Sequence, residues 1–237
     1  LDISVAKSAF PQIRQAGEDS VLIYLAATAN PQVLAQVQWL TAKLSQQLGS
    51  LLVEIVPSYH SILVVYDFLR LDRSQFILFL TDLLTQLPEM KDEVLGRGAI
   101  IELPCYYSVE SGPDLAIVAS LHQLSINQLI SIHSSRVYQV YAIGFAPGFA
   151  YLGWLDERIA TPRLATPRTS VPAGSVAIAD RQTAVYPNTS PGGWHLLGNC
   201  PMPLFDLGQA PQMPYGIGDS VRFVPIERAE YFRMAGR

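Results

Sequence analysis

The sequence is poor in charge. Of its 237 residues only 15% are Asp, Glu, Lys or Arg, against about 25% in an average soluble domain. Hydrophobic residues make up 49%, which is too apolar for a disordered chain. Lysine is absent after Lys91. That excludes a P-loop in the second half, because the motif needs a lysine to reach the phosphates. There is no block of Lys and Arg, and the net charge is −4, so nucleic acid is not an expected partner. Cysteine occurs twice, as Cys105 and Cys200, with no CxxC pair. A disulfide framework or thiolate metal site is therefore not expected. A GxSxG elbow and the HExxH and HxH metal pairs are also missing.

Long hydrophobic runs are missing too. Ser20–Ala42 is uncharged but contains Asn30, Pro31 and several glutamines, which argues against a membrane span. No basic stretch leads into an apolar one at the start, so no export signal is read. A cytoplasmic setting is expected. A chain this apolar is also expected to bury surface against a partner or itself.

Glycine and proline are scarce in one half only. Residues 1–93 hold two of the 16 glycines and four of the 17 prolines. The same residues carry 6 Lys/Arg and 10 Asp/Glu, hence the whole net charge of −4. This shift places a domain boundary near residue 94, giving domains 1–94 and 95–237.

The first half reads as alternating strands and helices. Val21–Ala26 is a short apolar run after a turn, so it reads as a buried strand. Asn30 caps a helix with Pro31 in its first turn. Val33, Leu34, Val37, Leu40, Leu44 and Leu48 share one face of it, and Gly49 ends it. Leu51–Val56 and Ile62–Tyr66 read as a hairpin around Pro57–His60. Asp72 or Ser74 caps a second helix, and Ala99–Leu103 reads as a further strand. The order β-α-β-β-α-β predicts a ferredoxin-like α+β sandwich with nothing catalytic in it.

The second half reads as two short helices, Asp114–Ser120 and Ser125–His133, followed by β structure. Strands are expected at Val137–Ile143, Ser175–Ala179, Thr183–Tyr186, Trp194–Leu197 and Ser220–Val224, each bounded by Gly or Pro. Short strands with dense Gly/Pro turns predict a mainly-β barrel.

Four segments between those strands carry the chemistry. Gly144–Trp154 packs three glycines, one proline and four aromatics into eleven residues. It is either an aromatic plug for a barrel end or a pocket wall whose glycines admit a ligand to the backbone. Thr161–Arg168 repeats Thr-Pro-Arg. Proline stiffens the chain before Arg163 and Arg168, which suits a carboxylate or phosphate; two structural arginines bonding loop carbonyls fit equally. Val171–Ile178 and Tyr186–Trp194 are turn-to-strand transitions. Gly174, Gly192 and Gly193 there either present N–H groups to an anion or simply make the turns. His133, at a helix end before the first barrel strand, is the histidine best placed to reach a pocket.

These segments, in this order and spacing, resemble the allophanate hydrolase subunit 1 (KipI) family. The resemblance begins at Arg14 and Gly17-Glu18-Asp19 and continues through Tyr66-Asp67, Gly112-Pro113-Asp114-Leu115 and His133. It is densest from Gly144 to Trp194 and resumes at Phe205-Asp206 and Gly218-Asp219-Ser220-Val221-Arg222-Phe223. It implies a cyclophilin-like barrel for the second domain. It also implies one subunit of an ATP-dependent 5-oxoprolinase, which opens 5-oxo-L-proline to L-glutamate and is inactive alone. The implied partners are a subunit 2 (PxpC/KipA-like) protein and a LamB/YcsF-type subunit. Other members imply alternatives: an inhibitor of a sensor histidine kinase, or a subunit of an allophanate- or urea-degrading system.

On this reading ATP is a co-substrate of the complex, and no metal ligand set is visible. His133 and Arg168 are the candidate catalytic residues. Phe145, Pro147, Gly148, Phe149, Tyr151, Arg163, Gly174, Ser175, Gln182, Tyr186, Gly192, Gly193 and Trp194 are the candidate substrate-binding set. The family usually has two glycines where this chain has Gly153-Trp154, so Trp154 is expected to narrow the pocket mouth.

Overall fold

A computed structural model describes residues 10–89 and 100–236. The chain divides into two compact units, Leu1–Arg97 and Gly98–Arg237.

Unit 1 is a four-stranded sheet with two helices. Its strands are β1 (Gln12–Gln15), β2 (Ser20–Tyr24), β3 (Leu52–Ser58) and β4 (Ser61–Tyr66), in the antiparallel order β1-β2-β4-β3. Helix α1 (Pro31–Leu48) starts where Asn30 accepts the Val33 N–H at 2.8 Å. It buries the expected stripe from Val33 to Leu48. Asp72 caps α2 (Arg73–Thr85) through the Ser74 and Gln75 N–H groups. Val21, Ile23, Ile62 and Val64 from the sheet meet Leu40, Leu44, Phe76 and Leu80 from the helices in one core.

The ferredoxin-like expectation fails at one strand. The segment expected to complete this sheet, Ala99–Leu103, is instead β5 (Ile100–Cys105) of the second unit. The edge position beside β2 is taken by β1. The expected pattern missed β1 because Gln-Ile-Arg-Gln has one apolar residue and no usable alternation.

Unit 2 is built on a seven-stranded sheet. After β5 come helices α3 (Leu115–Leu121) and α4 (Ile126–Ser134), the latter opened by a Ser125–Gln128 capping box. Strands β6 (Tyr138–Ile143), β7 (Ala150–Gly153), β8 (Arg168–Val171), β9 (Ser175–Ala179), β10 (Gln182–Val185), β11 (Ser190–Gly192), β12 (His195–Asn199) and β13 (Ser220–Pro225) follow, then helix α5 (Arg228–Met234). The sheet order is β12-β9-β10-β7-β6-β13-β5. Its edges approach each other where Tyr106, just past β5, exchanges two backbone bonds with Asn199 of β12, at 2.9 and 3.1 Å. The sheet is therefore a nearly closed barrel, as the Gly/Pro spacing predicts.

Strands β8 and β11 form a separate antiparallel pair. Strand side chains alternate between faces, and here both faces are buried. Leu152, Val176, Ile178, Val185 and Leu197 join α3 and α4 in one core. Ala177, Ala179, Ala184 and Leu196 point the other way, toward Phe149, Val171, Tyr186 and Trp194. Three alanines form a flat floor on which the aromatic rings lie.

Candidate functional site

The second of these faces opens into a cavity of about 110 Å³. Phe145, Phe149, Tyr151, Arg163, Tyr186, Pro191, Gly192, Gly193 and Trp194 line it. Phe149 is its hub. Its ring meets Tyr151 at 4.9 Å, Tyr186 at 5.3 Å and Trp194 at 5.9 Å, each near edge-to-face, an arrangement the ring quadrupoles favour. Phe145 completes the wall at 5.2 Å from Phe149 but remains 62% exposed, in left-handed backbone with φ +73°. It forms the rim.

Gly192 is required by Tyr186. A Cβ on Gly192 would lie 2.3 Å from the Tyr186 hydroxyl oxygen, so any side chain there displaces the ring. Burial pushes the Tyr186 hydroxyl above the usual tyrosine range; the Trp194 backbone N–H and the nearby Arg163 charge oppose that rise. Tyr186 therefore stays a neutral donor near physiological pH.

Arg163 supplies the positive charge. It lies over the Trp194 ring at 5.7 Å, a cation–π distance. Its carboxylate neighbour, Asp180, is 3.7 Å away with both side chains about 60% exposed, so this ion pair is weak. The loop carrying Arg163 is clamped on both sides. His195 donates its Nε2–H to the Pro162 carbonyl at 2.9 Å, and the Leu164 N–H donates to the Gly193 carbonyl at 2.8 Å. A cation held over an aromatic wall, with a weak counter-ion and room beside it, is suited to a carboxylate or another small anion.

The repeated Thr-Pro-Arg thus splits. Arg168 does not line the cavity. Its Nη2 donates to Asp114 Oδ1 at 2.7 Å and its Nη1 to the Trp194 carbonyl at 3.4 Å. Two of its guanidinium nitrogens are thus bonded to Asp114 and to the Trp194 backbone, and the side chain is not part of the cavity lining.

His133 also lies outside the cavity lining. It is fully buried, and both ring nitrogens are bonded: Nδ1 to the Tyr107 hydroxyl at 2.7 Å, Nε2 to Thr183 Oγ1 at 2.9 Å. The Thr183 hydroxyl donates to the Ala177 carbonyl, so it accepts from Nε2–H, and Nδ1 accepts from Tyr107. Burial lowers the His133 pKa to about 3, which leaves a neutral imidazole tying α4 to β9 and β10.

Seven other candidates line the cavity besides Arg163: Phe145, Phe149, Tyr151, Tyr186, Gly192, Gly193 and Trp194. The rest lie elsewhere. Gly148 and Gly174 have φ of +85° and +78°. A Cβ on either would strike backbone oxygen, of Leu204 at 2.7 Å and of Cys200 at 2.4 Å; both are needed for close chain approach, and neither lines the cavity. Pro147 is exposed at the turn. Ser175 is buried in β9, and Gln182 pairs with Gly153 and Ala179 in the sheet. Trp154 packs on Tyr141 at 5.0 Å and does not line the cavity, so it does not narrow the mouth. Pro191 lines the cavity without being a candidate, although it lies within the Tyr186–Trp194 segment. Asp114 and Asp180, the partners of the two arginines, carry no local signal of those pairings.

Among the described residues, no group of three or more His, Cys, Asp or Glu is placed to hold a metal. No single described helix is long and apolar enough to cross a membrane. Cys105 and Cys200 are free and buried, and burial raises both thiols, Cys200 to about 11, so neither is a ready nucleophile.

Comparison with known proteins places this geometry. The model for the carboxyltransferase domain, subdomain C and D, matches residues 11–215. A Bacillus subtilis (strain 168) protein named as the B subunit of 5-oxoprolinase is 38% identical over 227 residues, covering 93% of this chain and 95% of its own. An Escherichia coli O157:H7 protein of the same name is 40% identical over 211 residues, covering 88% and 93%. Among solved structures, PH0987 from Pyrococcus horikoshii, described as a conserved uncharacterized protein, is 41% identical. The match covers 93% of this chain and all of that one, with a TM-score of 0.56. The Kluyveromyces lactis urea carboxylase shares the fold at TM-score 0.71 and 18% identity; this chain covers 22% of it. The extent of these matches shows that the chain belongs to the carboxyltransferase-domain (subdomain C and D) family, alongside proteins named as 5-oxoprolinase B subunits.

Proposed function

We propose that this chain is the B subunit of an ATP-dependent 5-oxoprolinase, and that the aromatic cavity beside Arg163 holds the 5-oxoproline ring. The observation that carries the reading is the cavity itself, found in a chain with near full-length relatives of that name. Its volume of about 110 Å³ lies below the roughly 300–1,000 Å³ of sites for drug-sized ligands. It suits a five-membered ring with a carboxylate, and the reading puts ATP outside these walls, on another subunit or at a junction.

The chemistry fits such a division. A lactam is resonance-stabilised, and its nitrogen is a poor leaving group. Phosphorylation of the amide oxygen by ATP, with ADP released, ends that resonance and makes the carbon electrophilic. Water adds there, and the ring C–N bond breaks as the nitrogen takes up a proton and leaves as the amine. A second water hydrolyses the resulting acyl phosphate to glutamate and phosphate. Phe149, Tyr186 and Trp194 pack the ring and exclude water from it. Arg163 pairs with the carboxylate and fixes which edge of the ring faces out. His133 and Arg168 stay outside the reacting zone and support the walls.

We also propose that the barrel is of the cyclophilin-like type. The chain acts in a cytoplasmic heteromer with a subunit 2 (PxpC/KipA-like) protein and a LamB/YcsF-type subunit, and it has no turnover alone. The low charge of the sequence supports extensive burial against partners. The test is 5-oxoproline-dependent ATP hydrolysis by the three-subunit mixture with and without this chain. Turnover only when the chain is present is the expected result; turnover independent of it would overturn the reading.

A further inference from the structure

We infer that Asp114 is a positioning residue for the pocket, acting with Arg168 to set the place of Trp194. The inference rests on the reading of the cavity as the substrate site. Asp114 stands where a helix cap is expected, yet its side chain makes no capping bond to α3. Both oxygens are committed across the sheet instead. Oδ1 accepts from Arg168 Nη2 at 2.7 Å, and Oδ2 accepts the Leu196 N–H at 2.8 Å. The Asp114 N–H returns a bond to the Leu196 carbonyl at 3.1 Å. Arg168 in turn donates to the Trp194 carbonyl, and in the β8–β11 pair it sits opposite Gly192. The Gly192–Leu196 stretch is thus held at Trp194 and Leu196 by one largely buried ion pair, with Gly192 paired to the Arg168 backbone, and two of its members, Gly192 and Trp194, are pocket wall.

The local sequence is shaped to deliver that carboxylate. A Cβ on Gly112 would sit 2.1 Å from the Leu197 carbonyl carbon, so only glycine lets the Gly112-Pro113-Asp114 segment press against β12. Asp114 is 3% exposed. A buried ion pair is weak evidence for stability, since apolar residues of similar volume often do as well. What it supplies here is fixed main-chain geometry under Trp194, whose indole carries Arg163 on one face and meets the Phe149 ring nearly at right angles.

The test uses Asp114→Asn and Arg168→Lys in the reconstituted complex, with two readouts. The first is the KM and kcat for 5-oxoproline. The second is acrylamide quenching of Trp194 in a chain where Trp39 and Trp154 are changed to Phe. We expect Asp114→Asn to raise KM about tenfold or more with kcat within about threefold, and to raise the quenching constant at least about twofold. Arg168→Lys keeps the charge and loses the second bond, so it falls between Asp114→Asn and the wild type on both measures. Folding of each variant is checked by circular dichroism, and if Asp114→Asn does not fold, Arg168→Lys decides. Wild-type quenching in a folded variant overturns the inference, and so does increased quenching with unchanged KM. If the wild-type complex has no 5-oxoproline-dependent turnover, the functional reading fails, and quenching alone decides the positioning.

Discussion

Strands β7, β9, β10 and β12 have two buried faces, made from alternate residues of the same short segments. One face carries Leu152, Val176, Ile178, Val185 and Leu197. Branched side chains interdigitate there with α3 and α4, at the density that core packing demands. The other carries Ala177, Ala179 and Ala184 beneath Phe149, Tyr186 and Trp194. Small residues there leave room, and large flat ones line it. The first face holds the unit together; the second makes a site. Their responses to substitution should differ in kind.

The largest effect belongs to the first face. Ile178 is fully buried, and Ile178→Ala should cost about 2–5 kcal/mol of stability, through lost transfer energy and the cavity left behind. Urea unfolding measures it. Ligand affinity of the folded protein should change less than about twofold. A large affinity loss at full stability would show that the faces are not separate.

The same face has a pH response. His133 is buried neutral, with its pKa lowered to about 3 from about 6.5 in the unfolded chain. Between those values the unfolded state binds the extra proton. Stability from this group is therefore intact above about pH 6.5 and falls as pH drops toward 3, by about 1.4 kcal/mol per unit. At pH 5 the wild type should have lost about 2 kcal/mol more, relative to pH 7.5, than His133→Gln, which cannot titrate. Equal losses in denaturant titrations would place an accessible, ordinary histidine at position 133.

On the second face the effect shifts from stability toward binding. Gly192→Ala forces a methyl to within 2.3 Å of the Tyr186 hydroxyl. Overpacking of this kind costs about 1–3 kcal/mol, and the displaced ring should lower 5-oxoproline affinity by more than about tenfold. Calorimetry and thermal unfolding on one sample separate the two. Unchanged affinity would mean that Tyr186 is not a wall of the ligand site.

This contrast also explains what was legible from sequence. Alternation of period two and Gly/Pro turns are local, and they reveal β6, β9, β10, β12 and β13 together with the helices capped by Asn30, Asp72 and Ser125. Strand β7 was hidden because Ala150–Gly153 sits in an aromatic run that reads as a loop. Strands β8 and β11 are three or four residues long and pair only with each other, so neither has a hydrophobic pattern. The destination of Ile100–Cys105 was set by its parallel pairing with β13, 120 residues away, a contact no window sees. At the site, aromatics clustered in sequence did cluster in space. The partners of Arg163, Arg168 and His133 did not follow from spacing, because charge pairs and buried bonds are made across the fold. His133 shows the cost: a histidine at a helix end can face a pocket or the core, and only the positions of Tyr107 and Thr183 decide.

The smallest stability effect should accompany a large functional one, at Arg163. Its ion pair with Asp180 is long and exposed, so Arg163→Ala should alter stability by no more than about 0.5 kcal/mol. A charge-assisted bond to a ligand carboxylate is worth roughly 1.5–3 kcal/mol, or about 10- to 100-fold in affinity. Arg163→Ala should therefore raise KM for 5-oxoproline by that factor at unchanged melting temperature. Arg163→Lys should recover only part, since an ammonium lacks the planar fork that grips both carboxylate oxygens. Asp180→Asn removes the competing counter-ion and should leave affinity equal or slightly higher. Arg163→Ala with wild-type KM would put the carboxylate elsewhere and break the division of labour between the two faces, whereas loss in Ala, partial recovery in Lys and none lost in Asp180→Asn would assign the ligand's charge to this one side chain.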